Sequence, residues 1–206
     1  MGDIEVMPAF IRSNTVQQAE QEALRLGVTS VDYRQSLDIA NIVNNSLEVM
    51  VQRGLSPPDH LKIDDRIFIK WANALGVSLH DLPAAFTFNR KTGKTWIYLN
   101  PQAPYWMNPA VEARQQYQAG QWSSDHPNHL IWHEFGHLNF FRQSSTLHWL
   151  NPPLAQSEVP VAAKIGRQAK ESVREFMAET FAALLAGRSL PADVFGLYQQ
   201  YGGVIP

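Results

Sequence analysis

Apolar residues recur at helical intervals in the first third of the chain. In "TVQQAEQEALRL", from Thr15 to Leu26, Val16, Ala19, Ala23 and Leu26 share one stripe and Gly27 follows as a stop, so the spacing predicts a helix. A second helix is expected from Leu37 to Arg53, with Ser36 as its N-cap and Leu37, Ala40, Val43, Leu47, Met50 and Val51 on its apolar face. "SPPDH" then interrupts regular structure, and Leu61 to Ile63 fits a short strand. The run "DDRIFIKWANALG" has apolar residues suited to a strand, but Asp64, Asp65 and Gly76 punctuate it as a helix, which is the reading we adopt.

Alternation replaces helical spacing in "AAFTFNRKTGKTWIYLNP". Phe86 and Phe88 alternate with small or polar residues, "NRKTGK" has turn chemistry, and "TWIYL" is β-branched and aromatic, so a hairpin is expected. Residues 101–127 read as loop with a helical turn or two. Two further helices are expected, one over about 127–142 and one over about 168–186, joined by a connection from Gln143 to Ala169 too long to be idle or wholly fixed. The expected fold class is α+β, mainly helical with a small β-sheet. A single domain spans 1–206, with an N-terminal helical part at 1–60 and the core at 61–206.

Composition narrows the chemistry. The chain has 206 residues, 45% hydrophobic and 17% charged, which is enough to build one core, and its net charge of -2 gives no field for nucleic acid or an anionic membrane. There is no cysteine, so a transition metal can be held only by His, Asp and Glu. The opening "MGDIEVMPAF" lacks a signal peptide's basic and apolar regions, and no segment reaches the roughly 18 apolar residues of a membrane span. Neither a leader nor an anchor is expected, and the chain can equally be a domain of a longer protein.

The stretch "LIWHEFGHLNFF" places His133 and His137 four apart, one above the other on a helix face, with Glu134 turned about 100° away. Two such imidazoles can bind one zinc ion, and the adjacent glutamate is placed to hold a water. Two solvent-facing histidines would be the plainer reading. Leu130, Ile131, Phe135, Leu138 and Phe141 make nearly every face of this helix apolar, however, so it is buried and its polar groups need partners. A second helix, "KESVREFMAETFAALLAG", carries Glu175 and Glu179 four apart, beside Ala178 and Ala182, which are small enough for close approach. Two carboxylates facing a core without a cation would be costly. On the residues alone, one of these glutamates ligates and the other orients a histidine.

"HEFGH" followed by "EFMAETFA" resembles the gluzincin class of zinc metallopeptidases, most closely the anthrax lethal factor-like catalytic domain with its "ExxAExF" helix. The resemblance covers roughly residues 128–187. It implies a zincin-like fold and one zinc ion per chain, with His133, His137 and Glu175 as ligands, Glu134 as general base and Glu179 supporting a ligand from behind. The implied activity is that of an endopeptidase acting on protein or peptide through metal-activated water, of toxin or effector type. The family's tyrosine shortly before the glutamate ligand has no counterpart in "KIGRQAKESVRE", which leaves His148, Tyr198 and Tyr201 as candidates for stabilising the oxyanion. That departure also leaves open a zinc-stabilised binding domain descended from a peptidase. The resemblance further implies a strand bordering the cleft, for which "TWIYLN" fits either the border or the sheet interior.

Overall fold

Capping and turn chemistry set most element boundaries in the computed structural model, which describes residues 12–206; the start of the expected 1–60 part lies outside them. Helix α1 (Val16–Arg25) begins where Thr15 Oγ1 accepts from the Gln18 N–H, and it buries Ala19 and Ala23. Strand β1 (Ser30–Asp32), which its three residues are too few to announce, leads to α2 (Leu37–Gln52). Ser36 precedes α2 as expected but makes no side-chain cap bond. After β2 (His60–Ile63), the ambiguous run forms α3 (Asp65–Leu75). Its Asp64 cap accepts from the Arg66 N–H, and Gly76 closes it in the left-handed region that a glycine adopts without a Cβ clash.

The hairpin consists of β3 (Ala84–Phe88) and β4 (Thr95–Leu99). Asn89 Oδ1 accepts from the N–H groups of Lys91 and Thr92 to shape its turn. The stretch expected to be mostly loop contains a ten-residue helix, α4 (Pro109–Gln118). Its signals are local and conventional: Asn108 caps it, accepting from the Val111 N–H, and Pro109 occupies the first turn. The long helix α5 (His129–Gln143) starts two residues later than expected. The connection after it is folded into α6 (Ser145–Leu150) and α7 (Val159–Ala162), followed by a 3-10 turn at Gln168–Lys170. Helix α8 (Val173–Leu185) therefore begins five residues later than the spacing predicts, and α9 (Ala192–Gln200), for which no prediction was made, closes the chain.

The strands lie in the order β1-β2-β4-β3. The first three are parallel, and β3 runs antiparallel along one edge. "TWIYL" is thus an interior strand, and the two edges are β1 and β3. Helices α1 and α2 pack on one another, while α5 packs between α8, β3 and α2. The fold is α+β and mainly helical, as expected. No helix among the described residues is long and apolar enough to cross a membrane.

Candidate metal centre

Helix α5 is buried on all sides from His129 to Phe140, so every polar residue in it must find a partner inside the protein. His129, His133 and His137 stand at four-residue intervals on one face, and that face meets α8. The start of α8 is fixed by Ser172, whose Oγ accepts from the Glu175 N–H at 3.2 Å. "SVRE" is a capping-box sequence, but the Glu175 side chain turns to α5 instead of back to Ser172. One turn on, Glu179 is fully buried.

The two helices touch backbone to backbone. A Cβ on Gly136 would lie 2.6 Å from Ala178 Cα and 2.9 Å from the Ala178 carbonyl oxygen. The glycine of "HEFGH" is therefore a packing requirement, and the small residue expected to admit close approach, Ala178, meets it. This contact brings the glutamates of α8 within reach of the histidines of α5.

Among the described residues, two groups could each hold a metal ion: His133, His137 and the partly buried Glu175, and the buried trio His129, His133 and Glu179. In the first, Glu175 Oε2 lies 3.2 Å from His133 Nε2 and Glu175 Oε1 lies 3.6 Å from His137 Nε2. Ligand atoms about 2.0–2.1 Å from a tetrahedral zinc stand about 3.3–3.4 Å apart, so this donor set has the right size and chemistry. In the second, the atoms already satisfy one another. Glu179 Oε1 lies 2.9 Å from His133 Nδ1 and 3.3 Å from His129 Nε2, and Oε2 accepts from the Ser123 N–H at 2.7 Å. His129 Nδ1 meets Ser124 Oγ at 3.0 Å, and its ring stacks on Trp122. The second group is a closed hydrogen-bonded support behind His133, of the kind that fixes a ligand's tautomer.

Glu134 reaches the sheet edge. Its Oε2 accepts from the Phe86 N–H at 2.6 Å, on the side of β3 that does not pair with β4. A cavity of about 210 Å³ opens here, lined by Ala84, Ala85, Phe86, His133, Glu134, His137, His148, Gln168, Arg174 and Glu175. A larger one, about 360 Å³, lies beyond Pro83 against His80, Asp81 and Trp122, and contains no group of ligating residues.

Burial governs the titration of these groups. It opposes charge on His133, but the Glu175 and Glu179 carboxylates at its two nitrogens prevail and hold its pKa well above the ordinary value. It drives His137 well below that value, against the pull of Glu175. Burial would raise Glu175 and Glu179, yet the neighbouring imidazoles, His137 and His133 for the first and His129 and His133 for the second, hold both below the usual carboxylate range. Glu134 is pushed up to about 7 by burial, partly offset by His133 and reinforced by Glu175. His148 is pushed down to about 3, by burial and by the Arg174 charge. The carboxylates of α8 thus depend on positive charge drawn from α5, and a bound cation would supply it.

All five residues singled out in the sequence, His133, Glu134, His137, Glu175 and Glu179, meet at this place. Of the three oxyanion candidates, only His148 faces the cavity; Tyr198 donates to the Val204 carbonyl and Tyr201 to Glu158. His129, Ser123, Ser124 and Gln168 were not anticipated. His129 had a legible signal, a third histidine four positions before "HEFGH". Compared with protein-family models, curated proteins and solved structures, the chain matches none.

Proposed function

We propose that this chain is a zinc-dependent endopeptidase with a zincin-like, gluzincin-type catalytic domain. The observation that carries the reading is the convergence of His133 Nε2, His137 Nε2 and both oxygens of Glu175 at a cavity that Glu134 and the outward edge of β3 also line. His133, His137 and Glu175 hold the ion, and Glu179 and His129 fix the His133 ring. A zinc ion bound there supplies Lewis-acid polarisation of the scissile carbonyl and lowers the pKa of an attacking water.

The remaining chemistry belongs to side chains and backbone. An extended peptide lies along β3, where the outward N–H and C=O of Ala84 and the C=O of Phe86 are placed to pair with it, the Phe86 N–H being held by Glu134. Glu134 takes a proton from the water as its oxygen bonds to the carbonyl carbon. It then delivers that proton to the departing nitrogen as the C–N bond breaks, leaving a carboxylic acid and an amine, which ionise. Burial, which raises Glu134 toward neutrality, suits it to both transfers.

The test is a Glu134→Gln variant assayed for zinc and for cleavage of a proteome-derived peptide library. Zinc near one per chain with cleavage lower by about 100-fold or more is expected; full cleavage in the variant overturns the reading. Wild-type protein that binds zinc and cleaves nothing favours instead a zinc-stabilised binding domain, the alternative raised by the missing tyrosine.

A further inference from the structure

His148 comes from α6, in the connection between the two motif helices, and is 3% exposed. Its ring is packed by Phe86, Phe88, Phe140 and Phe141, with centroids 5.3, 5.7, 5.8 and 5.7 Å away, and stands edge-on to His137 at 5.8 Å. Neither ring nitrogen has a hydrogen-bond partner, and both are buried. No metal-holding group among the described residues includes it. A phenylalanine would fill this aromatic niche without leaving two polar atoms unpaired, so packing alone does not account for an imidazole here. His148 lines the cavity together with Glu134 and Arg174, so its unpaired nitrogens lie beside whatever enters there.

On this basis, and resting on the peptidase reading above, we infer that His148 is a catalytic residue that donates a ring N–H to the carbonyl oxygen as that oxygen gains negative charge. No proton is transferred: the carbonyl π pair moves onto oxygen as the water oxygen bonds to carbon, and the imidazole N–H stabilises the charge from a position fixed by packing. Both tyrosines that remained as rivals are engaged elsewhere. Of the other side-chain donors lining the cavity, Gln168 donates to Glu175 Oε2 at 3.2 Å, and Arg174, whose Nε is buried and lies 3.4 Å from Glu175 Oε1, is the rival that the experiment separates.

The experiment compares zinc-loaded wild type with His148→Phe, His148→Gln and Arg174→Gln. The probes are a dipeptide phosphoramidate, which presents tetrahedral anionic oxygens, and a dipeptide thiol of the same sequence, which presents none. In His148→Phe the phosphoramidate is expected to bind about 100-fold more weakly. Thiol affinity, zinc content and melting temperature should stay at wild-type values, and His148→Gln, which keeps an N–H, should fall between. For any peptide that is cleaved, kcat falls about as far and KM stays nearly constant. Unchanged phosphoramidate affinity in His148→Phe, loss of zinc from it, or a loss confined to Arg174→Gln overturns the inference. Wild type that binds the phosphoramidate tightly but cleaves no peptide defeats the peptidase reading alone, since the affinity comparison still decides the role of His148. Wild type that does not bind it defeats both.

Discussion

The α1–α2 pair and the α5–α8 pair both bury polar side chains between helices, and they use them in opposite ways. In the first, Asn44 is fully buried with its Oδ1 accepting from Tyr33 Oη at 2.7 Å and its Nδ2 donating to the Ala19 carbonyl at 2.8 Å. The network is neutral and closed. Between α5 and α8 the buried groups are charged, and the network is closed only at its back, through Glu179. At its front, His137 Nδ1 and both nitrogens of His148 lack partners, and the remaining donors point into a cavity. A closed polar network specifies packing, whereas an open one beside a cavity indicates a ligand.

The largest effect that would sharpen this contrast is expected from Gly136→Ala. The added Cβ meets the α8 backbone, which cannot yield as a side chain would, so Glu175 is displaced from His133. Metal content should fall well below one ion per chain and stability by at least about 1–3 kcal/mol, measured by metal analysis and thermal unfolding. Retention of both would show that the helices are free to separate.

Glu179→Gln comes next. It keeps an acceptor for His133 Nδ1 but removes the charge, and zinc affinity measured by competition with a chelator should drop about 10–100-fold. An unchanged affinity would make the rear of the network as inert as the α1–α2 pair. Asn44→Ala should do the converse, lowering stability in urea by about 1–2 kcal/mol through the abandoned Tyr33 hydroxyl and Ala19 carbonyl, with zinc affinity unaltered. Weakened zinc binding in that variant would join the two regions that the comparison separates.

The smallest effect concerns Asp59, whose Oδ2 accepts from the Thr95 N–H and Oγ1 at 2.9 and 2.7 Å and so ties the start of β2 to β4. Burial would raise this carboxyl, but those bonds and the Arg142 charge prevail and lower it. Because the folded pKa lies below the unfolded one, the stabilisation is present above the ordinary value of 3.8 and is lost as pH falls through the lowered value. Asp59→Asn should flatten that acid limb in denaturant titrations and leave the metal centre untouched.

Much of this molecule is legible in local sequence. The stripe of α1 and α2, the caps of α3, the hairpin turn and the four-residue spacings of His133, His137, Glu175 and Glu179 all express contacts within a turn or two of chain, which periodicity and capping chemistry report directly. Even α4 carries such signals in Asn108 and Pro109, but "EARQQYQ" offers little apolar stripe to mark a helix.

What only the tertiary structure decided depends on residues far apart in the chain. β1 is too short to show a period, and no pattern within "TWIYL" tells an interior strand from an edge, because the neighbour that makes it interior, β2, comes from outside the hairpin. The need for glycine at 136 arises from the backbone at Ala178, and the part played by His129 from the carboxylate of Glu179. His148 is one residue of a short helix until α6 folds it against β3 and α5, where burial leaves its nitrogens without partners at the cavity wall. Local spacing thus determined which side chains could form a metal site, and long-range packing determined which others surround it.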